Sequence, residues 1–328
     1  MKKGMHMTHI KLLTTGGTIA SKRDPETGLQ QTGVISGEEL MSKLNVDDKI
    51  KISVEEIISV SSSAMTFENL VTVKDRVNEF LKDEAVDGIV LTHGTDTLEE
   101  TSYFLSQVVE SNKAVVVTGS QRGPELIGSD AYANLQDAIT LAADPEAKKI
   151  GVSVLFNQQI FMPRFIKKIN AMNVDGFGGG GTGYLGTVDG EDVKIYQYPR
   201  PHHTYKIKEK LATVDIIKCA LDTDAKFIDC AIEHKVDGIV IEAMGRGHAN
   251  NKVAEGVKRA VEQGITVVIT TASEDGDVKV AYDFSGGISQ FEKDGAINGG
   301  SYDSKKARIK LAVMLGAGEK ITAEDFWY

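Results

Sequence analysis

Cysteine is scarce in this sequence of 328 residues, and its scarcity limits the chemistry that the chain can support. The two cysteines are Cys219, which lies inside an apolar segment, and Cys230. Neither Cys-x-x-Cys nor His-x-x-x-His spacing occurs, and the adjacent His202 and His203 cannot easily face one ion. The sequence therefore predicts two buried free thiols, no disulfide and no metal site.

Long apolar runs and an excess of positive charge are also missing. No run approaches the roughly 18 residues of a membrane-spanning helix, and no apolar core follows the basic N-terminal residues as in a signal peptide. Acidic residues outnumber basic ones, 47 to 37, for a formal net charge of -10. Because binding to phosphate backbones needs a basic surface, nucleic acid is not an expected partner. We expect a cytoplasmic protein that binds neither membrane nor nucleic acid.

What the sequence does contain is an alternation of strands and helices. Apolar runs predict strands, and amphipathic stretches that begin after Thr66, Thr97 and Asp130 predict helices. Such alternation indicates an α/β fold with a mostly parallel, doubly wound sheet that carries helices on both faces. The predicted strands are Ile10–Thr14, Ile52–Val60, Gly88–Leu91, Ala114–Thr118 and Ile150–Phe156.

Two short patterns predict where helices begin. Ser36 followed by Glu39 has capping-box spacing and predicts a short helix at about 37–44. Thr97 followed by Glu100 has the same spacing, so we expect a helix to begin there as well. The residues just before Thr97 then form a strand-to-helix loop.

A repeated pentapeptide suggests that both halves of the chain are built alike. Val-Asp-Gly-Ile-Val occurs at 86–90 and again at 236–240. Between the copies, a segment with two prolines and little helix or strand signal predicts a linker at 192–209. We therefore expect a larger N-terminal domain at 1–191 and a second, smaller α/β domain at 210–328.

Two glycine loops that carry threonine follow predicted strands. They are Thr-Gly-Gly-Thr-Ile-Ala at 15–20 and His-Gly-Thr-Asp-Thr at 93–97. Open α/β sheets bind ligands at the carboxyl ends of their strands, so we expect the hydroxyls of Thr15 and Thr95 in one crevice. No Gly-x-Gly-x-x-Gly opens the first loop, and a dinucleotide is therefore not favoured.

Together, in this order and context, the motifs at 15–20 and 93–97 resemble those of the bacterial-type L-asparaginase/glutaminase family. The similarity extends from Lys11 to the Ser-Lys-Lys-Ala-Arg segment at 304–308. It implies an amidohydrolase that converts L-asparagine and water to L-aspartate and ammonia through a threonyl acyl-enzyme, with no cofactor. The alternatives are a glutaminase, the amidase subunit of a glutamyl-tRNA amidotransferase-type assembly, and a catalytically weak amino-acid-binding regulatory homologue.

Amide hydrolysis needs a nucleophile, a base that takes its proton, and donors for the oxyanion. The resemblance implies a Thr95–Lys168–Asp96 triad, in which the lysine moves the proton of the threonine hydroxyl. Thr15 is the second candidate nucleophile, and the sequence leaves open which threonine attacks. The family pattern in the Ser-Ser-Ser-Ala-Met segment places the serine that binds the substrate carboxylate at Ser62, and Asp96 would hold the ammonium group.

The resemblance also implies a homodimer or homotetramer whose sites are completed across an interface. The loop at 245–250 corresponds to a family segment in which an asparagine reaches the substrate of a neighbouring subunit. In this sequence His248 or Asn250 would take that role.

Two segments depart from the family pattern. The expected mobile lid at 21–37 lacks the tyrosine that family members commonly carry, and Leu29, Gln30 and Gln31 stand at the corresponding positions. The threonine of the first loop then has no lid-borne activation, so we expect the second threonine to carry more of the catalysis. The tetraglycine at 178–181 has no Gly-Lys-Ser/Thr continuation and predicts a flexible connection rather than a phosphate cradle.

Overall fold

The computed structural model of the chain describes residues 7–31 and 33–327. The chain divides into two compact units between Thr204 and Tyr205, and each unit contains its own main sheet. Within the described ranges, no helix is both long enough and apolar enough to cross a membrane.

The first unit is built around one large sheet. Its elements in chain order are β1 (Thr8–Thr14), β2 (Lys22–Arg23), β3 (Gln30–Gln31), α1 (Gly37–Met41), β4 (Ile50–Glu56), α2 (Phe67–Lys82), β5 (Gly88–Thr92), α3 (Leu98–Val108), β6 (Ala114–Thr118), α4 (Ala131–Ala143), β7 (Val152–Phe156), β8 (Gln159–Phe161), β9 (Lys167–Lys168), β10 (Phe177–Gly178), β11 (Gly186–Asp189) and β12 (Asp192–Ile195). Eight strands form the sheet in the order β12-β11-β8-β7-β6-β5-β1-β4. The pairs from β4 to β7 are parallel, and those from β7 to β12 are antiparallel.

The strand order reverses between β1 and β5. The chain leaves β1 to form β4 on one side, whereas β5, β6 and β7 follow in turn on the other side. The loops after β1 and β5 therefore leave the same carboxyl edge side by side. Open α/β sheets bind ligands at such a switch point.

Helices cover both faces of this sheet. Ile10 and Leu12 point towards α4 and share a core with its side chains, because alternate residues of a strand face opposite sides. Lys11 points the other way, with Nζ 4.2 Å from the centre of the Phe80 ring in α2. The central strands β5, β6 and β7 are buried throughout, which explains their continuous apolar sequence. The predicted doubly wound α/β class is confirmed.

The ends of several elements differ from the prediction. The predicted strand Ile52–Val60 ends at Glu56. Ser36 caps α1 by accepting the N–H of Glu39, yet the helix ends at Met41. The capping box predicted at Thr97 is wrong, because its hydroxyl donates instead to a main-chain carbonyl of another loop.

The second unit is smaller and also α/β, as predicted. Its four strands are all parallel and lie in chain order, with α8 against one face and α5, α6 and α7 in the core of the other. The elements are β13 (Val214–Lys218), α5 (Lys226–Glu233), β14 (Gly238–Ala243), α6 (Asn251–Glu262), β15 (Thr266–Thr271), α7 (Ile288–Lys293), β16 (Ile297–Asn298) and α8 (Ser304–Ala317).

The repeated pentapeptide has the same structural role in both units. Asp87 precedes β5, and its carboxylate accepts the N–H of His9 at 2.9 Å, while its own N–H donates to the carbonyl oxygen of His9. Asp237 precedes β14 and forms the same two hydrogen bonds with Thr213. Each aspartate thereby sets the start of its strand against a neighbouring strand.

The segment without helix or strand that follows β12 is displaced by four residues from the predicted linker. The first four residues of the predicted linker at 192–209 form β12, which pairs with β11 at the edge of the sheet. Residues 196–213 then contain neither helix nor strand. The two prolines and the local composition predicted a segment without helix or strand, whereas the pairing of β12 with β11 determines where that segment begins.

The two cysteines differ in their surroundings. Cys219 is buried, and burial raises the pKa of its thiol to about 11. Cys230 is exposed, which corrects the prediction for that residue, because it lies on the solvent face of α5. Both thiols are free.

Candidate active site

Three loops meet at the carboxyl edge where β4, β1 and β5 end, and glycine lets them touch through the main chain. A Cβ on Gly16 would lie 2.8 Å from the carbonyl oxygen of Val60. A Cβ on Gly17 would lie 2.5 Å from the main-chain nitrogen of Gly94. One on Gly94 would lie 2.6 Å from Oγ of Ser62. The absence of side chains at these three positions brings both threonine loops and the serine loop into one crevice.

Thr15 is buried directly after β1 and faces the main chain of β5. Its hydroxyl donates to the carbonyl oxygen of Thr92 at 3.0 Å, and its N–H donates to the same oxygen at 3.2 Å. The hydroxyl proton of Thr15 is therefore directed at a peptide group, which cannot act as a base at neutral pH.

Thr95 has a different environment. Nζ of Lys168 donates to Oγ1 of Thr95 at 2.8 Å and forms an ion pair with Oδ1 of Asp96, also at 2.8 Å. The lysine side chain is only 16% exposed, whereas the aspartate is 58% exposed. The three residues grouped by the sequence are thus in direct contact. An amine that touches a hydroxyl in a partly desolvated site can accept its proton once the amine is neutral.

Lys168 reaches the crevice from the hairpin of β9 and β10. Phe177 pairs with Lys168, and Gly178 pairs with Lys167. The main-chain N–H of Lys168 donates to Oε2 of Glu99 at 3.3 Å. Glu99 is buried in the first turn of α3, and sequence reasoning missed it because a glutamate there resembles an ordinary exposed helix residue.

The tetraglycine is part of the support for this hairpin. Gly178 belongs to β10, and Gly180–Thr182 form a single 3-10 turn. A Cβ on Gly179 would lie 1.7 Å from the carbonyl oxygen of Gly183. The flexible connection predicted at 178–181 is instead a strand end followed by a tight turn, and glycine permits the chain to pass so close to itself.

Ser62 lies beside Asp96 at the end of the third loop. Its hydroxyl oxygen accepts the N–H of Asp96 at 3.2 Å, and its carbonyl oxygen accepts the hydroxyl of Thr97 at 2.8 Å. A serine hydroxyl that accepts one hydrogen bond still has its own proton to donate. The pair therefore presents a donor and a carboxylate next to each other.

His93 fixes the loop that carries Thr95. Nδ1 of its buried ring donates to the carbonyl oxygen of Gly94 at 2.7 Å, and Nε2 accepts the hydroxyl proton of Thr101 at 3.0 Å. Burial lowers the pKa of His93 to about 4, so the ring is neutral at physiological pH. The imidazole ties the glycine of the loop to α3 and leaves no proton to be exchanged with substrate.

The loop after β6 braces the lysine hairpin from another side. The carboxylate of Asp130 accepts the N–H groups of Gln121 and Arg122, each at 2.9 Å. The side-chain amide of Gln121 then donates to the carbonyl oxygen of Asn170, just beyond β9, at 2.9 Å. No local sequence pattern signals this link, since its two ends lie far apart in the chain.

The segment expected to be a mobile lid contains a short antiparallel hairpin of β2 and β3. The carboxylate of Asp24 accepts the N–H of Thr27 and the side-chain amide of Gln31. The hydrogen bond from the Thr27 N–H is the main cause that holds the pKa of Asp24 below its usual range. The N–H of Arg23 donates to the carboxylate of Glu125 at 2.9 Å, so the hairpin is attached to the loop after β6.

The two residues expected to reach a neighbouring subunit lie in the second unit. The side chain of Asn250 caps α6 by accepting the N–H of Val253 at 3.1 Å. Its amide also donates to the carbonyl oxygen of Thr223 at 2.6 Å. The His248 ring packs edge-on against Tyr282, with centroids 5.5 Å apart. Unlike the side chain of Asn250, the ring of His248 takes no part in capping a helix.

The crevice of the first unit thus offers two hydroxyls of threonine, one of serine, an amine and a carboxylate. In the described part of the chain, no cluster of three or more His, Cys, Asp or Glu residues is placed to hold a metal ion. The amine in contact with both a hydroxyl and a carboxylate is suited to proton transfer at a nucleophile.

Comparisons with known proteins give a consistent result. Residues 9–201 match the family model "Asparaginase, N-terminal", and residues 213–324 match "Glutaminase/Asparaginase C-terminal domain". The chain is 42% identical over 319 residues to an L-asparaginase of Bacillus licheniformis, a match that covers 97% of this chain and 99% of that protein. It is 33% identical over 318 residues to L-asparaginase 2 of Bacillus subtilis, which covers 94% and 83%. The crystal structure of a probable cytoplasmic L-asparaginase from Campylobacter jejuni superposes with a TM-score of 0.89 at 30% identity, over 98% of each chain.

The match to the N-terminal model spans all of the residues that line the crevice, and the match to the C-terminal model spans almost all of the second unit. The two matched models, in this order, cover the chain nearly from end to end. The chain therefore belongs to the asparaginase/glutaminase family.

Proposed function

We propose that the protein hydrolyses the side-chain amide of L-asparagine to L-aspartate and ammonia. The observation that carries this proposal is the contact of Lys168 with both Thr95 and Asp96, each at 2.8 Å. The full-length relatives named L-asparaginase support the choice of substrate. Neither a cofactor nor a metal takes part in the proposed reaction.

The first half of the reaction forms an acyl-enzyme. Lys168 in its amine form accepts the hydroxyl proton of Thr95 while Oγ1 bonds to the amide carbon. The same proton passes to the leaving nitrogen, which departs as ammonia and leaves an aspartyl ester on Thr95. Asp96 stabilises the ammonium form of Lys168 between the two transfers. Main-chain N–H groups of the two glycine loops are the proposed donors to the oxyanion.

The second half of the reaction releases aspartate. Water attacks the ester carbon, and Lys168 accepts a proton from it. That proton then passes to Oγ1 of Thr95 as the ester bond breaks, so the enzyme returns to its starting form. The carboxylic acid that is formed loses its proton to solvent and leaves as aspartate.

Ser62 and Asp96 are proposed to bind the backbone groups of the amino acid. The Ser62 hydroxyl has a proton available for the α-carboxylate, since it accepts rather than donates in its contact with Asp96. The Asp96 side chain is more than half exposed, which leaves room for the α-ammonium group beside Lys168. A substrate held in this way carries its amide towards the threonines.

Thr15 is proposed to contribute a smaller share than Thr95. Its hydroxyl proton is directed at a peptide carbonyl, and the lid segment supplies no phenol to activate it. Its buried position beside the crevice still allows it to orient the substrate.

Three alanine variants test the nucleophile. Thr95→Ala is expected to lower kcat by about 10⁴-fold or more, Thr15→Ala by less, and the control Thr18→Ala in the same glycine loop only slightly. Ammonia release measures turnover, circular dichroism checks folding, and mass spectrometry of acid-quenched enzyme locates the acyl group. Near-normal turnover of folded Thr95→Ala, or an acyl group found only on Thr15, would contradict the assignment.

Glutamine is the alternative substrate, because the matched C-terminal model covers glutaminases as well as asparaginases. The ratio of kcat/KM for asparagine to that for glutamine decides between them. An amidase subunit of a larger assembly would release little ammonia alone, and a regulatory homologue would bind asparagine in calorimetry without turnover.

We further propose a cytoplasmic homodimer or homotetramer in which the loop 245–250 completes the site of a neighbouring subunit. The similarity to the probable cytoplasmic L-asparaginase of Campylobacter jejuni supports the location. Exposed aromatic side chains beside His248, those of Tyr282 and Phe284, support an interface at this loop. Light scattering that finds a fully active monomer at assay concentration would rule out the assembly.

A further inference from the structure

One short segment of the chain binds Lys168 both at its side-chain amine and at its main-chain N–H. Nζ donates to Thr95 and Asp96, each at 2.8 Å, and the main-chain N–H donates to Oε2 of Glu99 at 3.3 Å. All three acceptors lie within residues 95–99, on the loop after β5 and the first turn of α3. The lysine is therefore attached to the same segment by its amine and by its peptide group.

The burial of Glu99 indicates that its carboxylate has a specific task. Glu99 is 2% exposed, and burial of a carboxylate is costly unless hydrogen bonds compensate for the lost water. Its place in the first turn of an 11-residue helix offsets part of that cost, because the helix N-terminus favours negative charge. The N–H of Lys168 supplies a hydrogen bond from outside the helix.

Lys168 needs such an anchor because its own strand is short. β9 contains two residues and is held to β10 by two residue pairs. A lysine side chain has a flexible four-carbon stem that can adopt many rotamers. The position of Nζ is defined only if the main chain at the base of that stem is also fixed.

We propose that Glu99 is a positioning residue for Lys168, which acts by accepting the main-chain N–H and not through its charge. This inference rests on the proposed role of Lys168 as the base for Thr95. Without the acceptor, the base of the stem shifts and Nζ leaves the line of proton transfer. A misplacement of roughly 1 Å in a catalytic group can cost about 10²-fold in rate.

Three substitutions separate the acceptor from the charge. Glu99→Gln keeps a hydrogen-bond acceptor at the same distance from the main chain but removes the charge. Glu99→Met fills a similar volume and has no acceptor. Glu99→Asp keeps the charge on a side chain that is one methylene shorter. We expect kcat within about 3-fold of wild type for Gln, and a fall of about 10-fold to 10²-fold for Met. Asp should lie between them, and KM should change by less than about 3-fold in all three. The control Glu110→Met, at an exposed position just after α3, should leave kcat unchanged.

Thermal unfolding of every variant separates loss of fold from loss of alignment. Wild-type kcat in folded Glu99→Met would overturn the proposal, as would equal losses in Gln and Met. If Glu99→Met fails to fold, the kcat values of Glu99→Gln and Glu99→Asp decide. A higher kcat in Glu99→Asp than in Glu99→Gln would mean that the charge is required rather than the hydrogen bond, and would overturn the proposal. Lys168→Ala tests the proposed function separately. An active Lys168→Ala removes the base assignment itself, whereas an inactive Lys168→Ala beside an active Glu99→Met removes only the role of Glu99.

Discussion

Gly17 and Gly94 are in main-chain contact across the crevice, where a Cβ on Gly17 would lie 2.5 Å from the nitrogen and 2.6 Å from Cα of Gly94. No side chain separates the loop of Thr15 from the loop of Thr95. The order of β1 and β5 places the two loops side by side, but the glycines decide how closely they approach. The distance between the two threonines depends on this contact.

Gly17→Ala should therefore disable the crevice, whereas Gly190→Ala should not. Both glycines have positive φ, +86° at Gly17 and +62° at Gly190, so alanine is strained at either, and more so at Gly17, whose ψ of −179° lies in a region that is essentially restricted to glycine. A Cβ at Gly190 has nothing within 4 Å, while one at Gly17 collides with backbone. We expect kcat/KM to fall by about 10²-fold or more in Gly17→Ala and to stay near wild type in Gly190→Ala. Equal activity of the two variants in ammonia release would contradict the role of the contact.

His93 should make the protein less stable as the pH falls from 6.5 to 4. Its folded pKa of about 4 lies below the value of 6.5 for a free histidine. Between these values the unfolded chain binds a proton that the folded chain does not, so the free energy of unfolding decreases with falling pH, by up to about 3 kcal/mol. His93→Gln should be less stable at pH 7.5 but show a flatter profile from pH 6.5 to 4 in urea titrations. The exposed His234→Gln is the control, and an identical slope in His93→Gln and wild type would refute the prediction.

Asp137 of α4 should give the opposite pH dependence of stability. Burial, with a smaller contribution from nearby Asp189, raises the pKa of Asp137 from 3.8 to about 6. The folded chain holds the proton more tightly in that window, so stability falls as the pH rises from about 4 to 6. Asp137→Asn should increase the free energy of unfolding at pH 7.5 by about 1–3 kcal/mol and leave it unchanged near pH 3.5. Asp189→Asn should give a smaller gain, since burial is the larger cause, and an equal gain would show that the charge pair dominates.

Removal of the Glu125 carboxylate should loosen the β2–β3 hairpin. Its hydrogen bond with the N–H of Arg23 is exposed, so its loss should favour the detached hairpin by about 1 kcal/mol, or about 5-fold. Trypsin should then cleave after Lys22 and Arg23 about 5-fold faster in Glu125→Ala than in wild type. Glu191→Ala, in the exposed turn between β11 and β12, is the control. Unchanged cleavage in Glu125→Ala would mean that this contact does not hold the hairpin.

Local patterns were sufficient where a feature depends on neighbouring residues alone. The buried strands before both threonine loops were visible as apolar runs, and an Asp-Gly pair, whose glycine is the first strand residue, marked the same start of β5 and of β14. The aspartate carboxylates at 87 and 237 cap the neighbouring strand in both units. Such features repeat in a sequence because the same backbone hydrogen bonds must be satisfied each time.

Sequence patterns gave wrong predictions where a side chain interacts with a residue far away in the sequence. Thr97 stands at the right spacing from Glu100 for a capping box, yet its hydroxyl bonds to the carbonyl oxygen of Ser62, 35 positions away. Glu99 stands where an exposed helix residue is expected, yet α3 is buried almost all round and the carboxylate accepts from Lys168. In the first case a tertiary hydrogen bond replaced the predicted local one, and in the second tertiary packing buried a residue expected to be exposed.

The sequence by itself determined the α/β class, the two glycine loops at strand ends and, through its family motifs, the residues that meet in the crevice. Only the tertiary structure decided that Lys168, 73 positions from Thr95, lies 2.8 Å from its hydroxyl and that Glu99 holds its peptide group. The physical reason is the range of the interactions. Periodicity and capping reflect backbone geometry over a few residues, whereas the crevice depends on the order of strands in the sheet and on the close contact of glycines that belong to different loops.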